Sequence, residues 1–167
     1  RMGRNRCCPC MPDSNSVELL LLRHGIAEER LNGLDHPDRA LTAKGRSRTA
    51  AVATALVQRG LRVDQLFSSP YRRAMQTAQI AVEAGLAPSL AIHNALQPGA
   101  EPRSLIPQLK GRVCLVGHEP DLSGLAADLL GLPFSALTLK QAGLIQLQGV
   151  GSHWQLQALV RPALLLD

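Results

Sequence analysis

The chain has 167 residues, a net charge of +5 and an apolar content of 46%, which suit one compact domain with its own core. Only 2% of its residues are aromatic, so stacking platforms for single-stranded nucleic acid are scarce and we expect no nucleic-acid binding. No apolar run approaches the ~20 residues needed to span a bilayer, so we expect no membrane association. The four cysteines do not form the pattern of a disulfide framework, and we expect a cytoplasmic location.

Residues 1–12 differ in character from the rest of the chain. They carry three of the 18 basic residues, no acidic residue, and the run Cys7-Cys8-Pro9-Cys10. A metal or redox site is one interpretation, but three thiols without a nearby histidine fall short of the four ligands of a structural zinc site. We therefore predict a disordered tail at residues 1–12 and a single domain over residues 13–167. Cys114 lies in an apolar run and is predicted to be a core residue.

Short apolar runs alternate with longer helical stretches along this domain. Six segments of strand length are predicted, at Val17–Leu22, Gln65–Ser68, Ser89–His93, Val113–Gly117, Leu144–Gln148 and Trp154–Val160. Four helices are predicted, from a Thr42 cap to Arg59, from Pro70 to Gly85, over Pro102–Leu109, and from Pro120 or Asp121 to Gly131. The alternation predicts an α/β domain with a mostly parallel sheet, to which the last two strands add an antiparallel hairpin. Residues 162–167 could either pack or fray.

Three polar clusters stand at the ends of predicted strands. Arg23-His24-Gly25 follows Leu22, the segment 68–73 includes the end of the second strand, and Gly117-His118-Glu119 follows Val116. In open α/β sheets, ligands bind in the crevice beyond the carboxyl ends of the strands. We therefore predict that the three clusters converge on one pocket.

The side chains in these clusters suit a phosphoryl group. Arg23 and Arg73 offer permanent charge and planar paired donors to phosphate oxygens. His24 and His118 can donate hydrogen bonds or attack as neutral imidazoles. Gly25 lacks a Cβ and would let a phosphate approach the backbone, while two helix starts nearby would add N–H donors. Each residue alone is commonplace, but their matching topological positions predict a site for phosphoryl transfer.

The same clusters resemble a known family. The sequences Leu-Leu-Arg-His-Gly at 21–25, Ser-Ser-Pro-Tyr-Arg-Arg-Ala-Met-Gln-Thr-Ala at 68–78 and Leu-Val-Gly-His-Glu-Pro at 115–120 resemble the histidine phosphatase superfamily, which includes the phosphoglycerate mutases. With the stretch Asp-Arg-Ala-Leu-Thr-Ala-Lys-Gly at 38–45, the chain is most similar to small SixA-type phosphohistidine phosphatases. The resemblance begins near Val17 and implies a three-layer phosphoglycerate mutase-like fold, mostly parallel with an antiparallel edge strand.

The resemblance also implies roles for four residues. His24 would be the nucleophile and would become phosphohistidine, while Arg23, Arg73 and His118 would bind the phosphoryl oxygens. The family's arginine lies in Pro-x-x-Arg-Ala, which selects Arg73 rather than Arg72. No cofactor and no metal are implied. The expected substrate is a phosphorylated partner such as a histidine phosphotransfer domain, and we expect a monomer.

The chain departs from the larger members of this superfamily at the position of their general acid. The stretch 94–102 holds Gln97 or Pro98 where an acidic residue is expected, and Glu28 and Glu101 are weak substitutes. An alkoxide leaving group needs a proton, whereas phosphohistidine can leave as neutral imidazole once its ring is protonated. The departure therefore favours substrates with a P–N bond or activated esters.

Two alternatives remain open from the sequence. The chain could hydrolyse small phosphate esters by the same chemistry. It could also be a catalytically silent adaptor that binds phosphate. The presence of all four expected residues argues against the second alternative.

Overall fold

A six-stranded sheet with helices on both faces organises the chain. The computed structural model describes residues 15–166, so the predicted tail at 1–12, its cysteines and Asp167 lie outside the described residues. The strands are β1 Val17–Arg23, β2 Gln65–Ser68, β3 Ala91–Ile92, β4 Gly111–Gly117, β5 Leu144–Val150 and β6 His153–Val160. The α-helices are α1 Ala43–Gln58, α2 Arg72–Glu83, α3 Asp121–Leu130 and α4 Pro162–Leu166, and 3₁₀ helices span Asn94–Leu96 and Pro102–Gln108.

The strand order is β3-β2-β4-β1-β5-β6. Strands β3, β2, β4 and β1 are parallel, whereas β5 is antiparallel to β1 and β6 is antiparallel to β5. The predicted α/β class, the mostly parallel sheet and the antiparallel hairpin at one edge are confirmed. Among residues 15–166, no helix combines the length and the apolarity needed to cross a bilayer.

The central strand β1 supplies core residues to both faces of the sheet. Leu19 and Leu21 belong to the cluster beneath α3, whereas Leu20 and Leu22 belong to the cluster beneath α1 and α2. Successive side chains of a strand point to opposite faces, so a continuous leucine run satisfies both layers at once. Cys114 on β4 is fully buried in the second cluster, as predicted.

Most predicted elements match the structure, and the differences have local causes. Helix α2 begins at Arg72 rather than at Pro70, because the backbone of Tyr71 is still extended (φ −65°, ψ 136°). The third strand is only Ala91–Ile92. The segment after Glu101 is a 3₁₀ helix, and Pro107 inside it lacks the N–H that a regular α-helix would use. The turn of the last hairpin is shorter than predicted and spans residues 151–152, because β5 extends to Val150 and β6 begins at His153. Residues 162–166 form α4.

Candidate active site

The register of the sheet brings the three polar clusters together. Arg23 at the end of β1 pairs with Gly117 at the end of β4. His24 and His118 are the next residues after the two members of this pair. Ser68 at the end of β2 pairs with Val116, which carries the third cluster to the same edge. The ring centroids of His24 and His118 are 5.2 Å apart. The predicted convergence on the carboxyl edge of the sheet is confirmed.

A cavity of about 200 Å³ occupies this edge. All four predicted site residues line it. The lining residues are Arg23, His24, Ala27, Arg30, Asp35, Arg39, Arg73, Pro98, His118, Glu119 and Gln141. Four arginines against two carboxylates leave the cavity with an excess of positive charge, which favours an anionic ligand.

His24 is held in one tautomer. Its Nδ1 lies 2.7 Å from the carbonyl oxygen of Gly25, and since a carbonyl only accepts, Nδ1 must donate. Nε2 is therefore the unprotonated nitrogen of the ring. The Nε–H of Arg73 donates to this Nε2 over 3.3 Å. A neutral imidazole with an accessible lone pair is the form that can act as a nucleophile.

Burial and positive charge both keep His24 neutral. The side chain is only 6% exposed, and its pKa is lowered to about 4, first by burial and then by the charges of Arg73, Arg23 and Arg39, against the opposing hydrogen bond to Gly25. The three arginines lower the pKa of His24, but burial is the larger cause.

Arg73 is the arginine of the second cluster that reaches His24. Its side chain is 3% exposed, and its Nη2 donates to Oδ2 of Asp35 over 2.9 Å. The guanidinium also lies 5.1 Å from the ring centroid of Tyr71, within the range of a cation–π contact. Arg72 is exposed. The predicted choice of Arg73 over Arg72 therefore agrees with the geometry.

Arg23 and His118 each have a buried nitrogen without a partner among the described residues. Arg23 donates from Nη1 to the carbonyl oxygen of Leu139 over 2.8 Å, and its Nε has no acceptor. The Nε2 of His118 lies 2.8 Å from the hydroxyl of Ser69, and its Nδ1 has no partner. Burial, followed by the charge of His24, lowers the pKa of His118 to about 3. An unpaired buried nitrogen is unfavourable, and a bound anion is one group that would satisfy such a donor.

The sequence did not reveal the carboxylate that organises the arginines. Asp35 accepts from Arg39 Nη2 at 2.8 Å as well as from Arg73. Partial burial would raise the pKa of Asp35, but the hydrogen bond from Arg39 and the charge of Arg73 outweigh it and lower the pKa. Asp35 stands in a polar loop with no local signal, whereas Arg39 belongs to the stretch 38–45 already associated with the family.

The two carboxylates that line the cavity are both engaged. Glu119 accepts from the backbone N–H and the hydroxyl of Ser123 at 2.8 and 2.7 Å and from the N–H of Leu139 at 3.2 Å. Asp35 is paired with two arginines. Of the weak candidates for a general acid, Glu28 is absent from the lining and Glu101 lines a separate cavity. Pro98, not an acid, lines the cavity from the stretch where an acid was expected.

Gly25 is required for packing rather than for close approach of a phosphate. A Cβ on Gly25 would collide with the hydroxyl of Thr49 on α1. Its N–H is already engaged, because it donates to Oγ1 of Thr77 over 3.0 Å. The N–H of Ser123 at the start of α3 is likewise engaged by Glu119. The expectation that Gly25 and the start of α3 would present these two N–H groups to a phosphate is therefore wrong.

Among residues 15–166, no group of three or more His, Cys, Asp or Glu side chains is placed to hold a metal ion. The cavity itself presents two neutral histidines and an arginine-rich wall. This combination suits transfer of a phosphoryl group to nitrogen.

Comparison with known proteins agrees with this geometry. Residues 19–97 match the family model of the histidine phosphatase superfamily (branch 1). An uncharacterized protein of Picosynechococcus sp. (strain ATCC 27264 / PCC 7002 / PR-6) is 38% identical over 147 residues, which cover 83% of this chain and 89% of that protein.

Solved structures extend the likeness to the whole fold. The protein histidine phosphatase SixA in complex with tungstate is 19% identical with a TM-score of 0.77, covering 89% of this chain and 99% of that one. The alpha-ribazole phosphatase from Shigella flexneri is 19% identical with a TM-score of 0.67, covering 87% of this chain and 96% of that one. At these identities the likeness shows the phosphoglycerate mutase-like fold. The chain belongs to the histidine phosphatase superfamily, and its fold is like that of SixA.

Proposed function

We propose that the chain removes phosphoryl groups from protein-bound phosphohistidine, through a covalent phosphohistidine intermediate on His24. One observation carries the proposal. The Nδ1 of His24 donates to Gly25 O, so Nε2 is the unprotonated nitrogen and accepts from Arg73. It lies in an arginine-lined cavity, on a ring whose pKa is about 4. The imidazole is thus unprotonated at every pH close to neutrality.

The reaction has two displacements on phosphorus. In the first, Nε2 of His24 forms a bond to phosphorus as the P–N bond of the substrate breaks, and the electron pair leaves with the substrate nitrogen. In the second, water attacks phosphorus, the bond to Nε2 breaks, and inorganic phosphate is released while the water proton passes to solvent. Arg23, Arg73 and His118 would stabilise the equatorial oxygens, with Arg73 exchanging its contact with Nε2 for one with the phosphoryl group.

The leaving group decides between substrate classes. Both lining carboxylates are held by other donors, so the cavity offers no free acid among the described residues. A phosphohistidine whose other ring nitrogen is protonated departs as neutral imidazole and needs no enzymic acid. A simple alkyl phosphate departs as an alkoxide and does need one. This difference favours phosphohistidine over small alkyl esters.

The test is a comparison of substrates across matched variants. Wild type, His24→Ala, Arg73→Ala and Arg72→Ala would be given a phosphohistidine-bearing histidine phosphotransfer domain and p-nitrophenyl phosphate. Arg72→Ala is the matched control, because Arg72 is exposed and adjacent to the buried Arg73. Reactions with labelled substrate would be quenched rapidly, and the acid-stable and acid-labile phosphoenzyme would then be measured.

We expect wild type and Arg72→Ala to turn over phosphohistidine and to accumulate an acid-labile phosphoenzyme. We expect His24→Ala to form none, and Arg73→Ala to lose about two to three orders of magnitude in kcat/KM, as removal of one oxyanion donor does. Turnover of the aryl ester alone would indicate that the substrates are small esters and would leave the mechanism unchanged. Binding of phosphate without turnover of either substrate would favour the silent adaptor.

A further inference from the structure

A tight turn at the rim of the cavity exposes two leucines side by side. Leu31 and Leu34 form an antiparallel bridge, and the N–H of Leu34 donates to the carbonyl oxygen of Leu31 over 3.0 Å. Asn32 (φ 52°) and Gly33 (φ 75°) between them both have positive φ, the pattern of a type I′ hairpin turn that Asn-Gly favours. Residues directly opposite in such a pair have Cβ atoms about 5 Å apart. The two side chains therefore form one apolar knob.

This knob is exposed to an unusual degree. Leu31 is 78% and Leu34 is 72% exposed, although leucine is among the residue types that are most often buried. Within residues 15–166, no other part of the chain covers them. A rigid, uncovered pair of this kind is more informative than leucines scattered singly over a surface.

The knob is held beside the proposed reaction centre. Arg30 and Asp35, the residues on either side of the turn, both line the cavity, so each leucine lies one residue, or about 3.8 Å along the Cα trace, from a lining residue. The carboxylate of Asp35 ties the end of the turn to Arg73 and Arg39. The turn is thus fixed relative to the guanidinium that contacts His24.

The size of the cavity indicates what lies against the knob. Its volume of about 200 Å³ is below the ~300–1,000 Å³ typical of pockets that enclose a small-molecule ligand. It can admit a phosphoryl group and the ring that carries it, while the remainder of a substrate stays at the rim. A sugar phosphate presents mostly hydroxyl groups to two leucines at the rim, whereas a folded protein can present a continuous apolar surface.

We propose that the turn of residues 31–34 is a docking element for a protein substrate, a folded domain that carries apolar side chains next to its phosphohistidine. This inference rests on the proposed function and names the feature of the partner that the enzyme contacts. The knob adds binding to the partner's surface and takes no part in the displacement itself.

The experiment separates docking from chemistry. The double variant Leu31→Ser/Leu34→Ser would be compared with wild type and with Leu164→Ser, a matched control whose leucine is 82% exposed on α4 and does not line the cavity. Each would be assayed on a phosphohistidine-bearing histidine phosphotransfer domain and on a short phosphohistidine peptide from the same domain, which has the same P–N bond but no folded surface. Oligomeric state would be measured by light scattering.

We expect the double variant to lose about tenfold or more in kcat/KM on the domain, mainly through KM, and less than twofold on the peptide. If the double variant retained the wild-type kcat/KM on both substrates, the docking role would be overturned and the proposed function would stand. Equal loss on both would make the turn a support of the cavity instead. A wild-type dimer that the double variant abolishes would assign the knob to self-association. Failure of wild type on both phosphohistidine substrates would refute the proposed function, and the inference with it.

Discussion

The depressed pKa of His24 can be tested directly by lowering the pH. With a pKa of about 4, about 3% of the ring would be protonated at pH 5.5, whereas an ordinary imidazole of pKa 6.5 would be about 90% protonated. The nucleophile should therefore stay competent well below pH 6. The ring nitrogens can be followed by long-range ¹H–¹⁵N correlation spectra from pH 3.5 to 8, with the His24→Asn spectrum used for assignment. The same spectra show whether Nδ1 carries the proton.

The same shift makes a prediction for stability. Because the pKa of His24 is depressed in the folded protein, the unfolded chain takes up the proton first as pH falls through 6.5. Titration of His24 therefore leaves the free energy of unfolding unchanged above pH 7 and lowers it progressively between pH 6.5 and 4. The loss from His24 alone is about 2 kcal/mol at pH 5 and about 3 kcal/mol below pH 4. Denaturant unfolding of wild type and His24→Asn across this range measures it.

The variant His24→Asn lacks the titrating ring, so its stability should fall less than that of wild type between pH 7 and 5. His118, whose pKa is depressed first by burial and then by the charge of His24, remains in both proteins. Its pKa is less depressed in the variant, which changes the difference between the two proteins in the same direction. Parallel stability profiles for the two proteins, or a His24 resonance that titrates near 6.5, would refute the reasoning that burial and arginine charge keep the nucleophile neutral.

Three further substitutions test individual contacts. Arg73→Lys keeps the charge but loses the planar donor set, so we expect about a hundredfold lower kcat/KM on phosphohistidine. Near-normal turnover would show that the planar guanidinium is not required. Gly25→Ala should lower the free energy of unfolding by about 1–3 kcal/mol, measured in denaturant, because its Cβ collides with α1; unchanged stability would contradict that packing. Ser69→Ala removes the hydroxyl 2.8 Å from His118 Nε2, so kcat should fall while the fold persists, and a kcat equal to wild type would show that this contact does not position the ring.

The order of elements and the location of the site were predictable from local patterns. The leucine run of β1 and the apolar run of β4 are buried on both faces, and continuous apolar runs of strand length predict that environment. Thr42 caps α1 through a hydrogen bond to the N–H of Gly45 over 2.9 Å, as a threonine before a helical stretch predicts. Because parallel strands end at a common edge, polar residues at their carboxyl ends could be assigned to one pocket before any contact was known.

Features set by neighbours distant in sequence were not predictable. Asp35 accepts a hydrogen bond from Arg73, which is 38 positions away in the chain. Nothing in the loop of Asp35 distinguishes it from other exposed acids. The role of Gly25 was misassigned, since the atom that excludes a Cβ belongs to Thr49 on α1. The Asn32-Gly33 turn did carry a sequence signal, but its place at the rim depends on the tether of Asp35 to Arg73.

The sequence by itself thus determined the strands, most helix limits and the four residues that meet at the cavity. These depend on hydrophobic periodicity, capping and side-chain chemistry, which act over a few residues. Only the tertiary structure decided which carboxylates are engaged, how deeply His24 is buried, and that two leucines are exposed beside the reaction centre. Burial and ion pairing depend on how distant segments pack, and the pKa of a buried histidine follows from that packing.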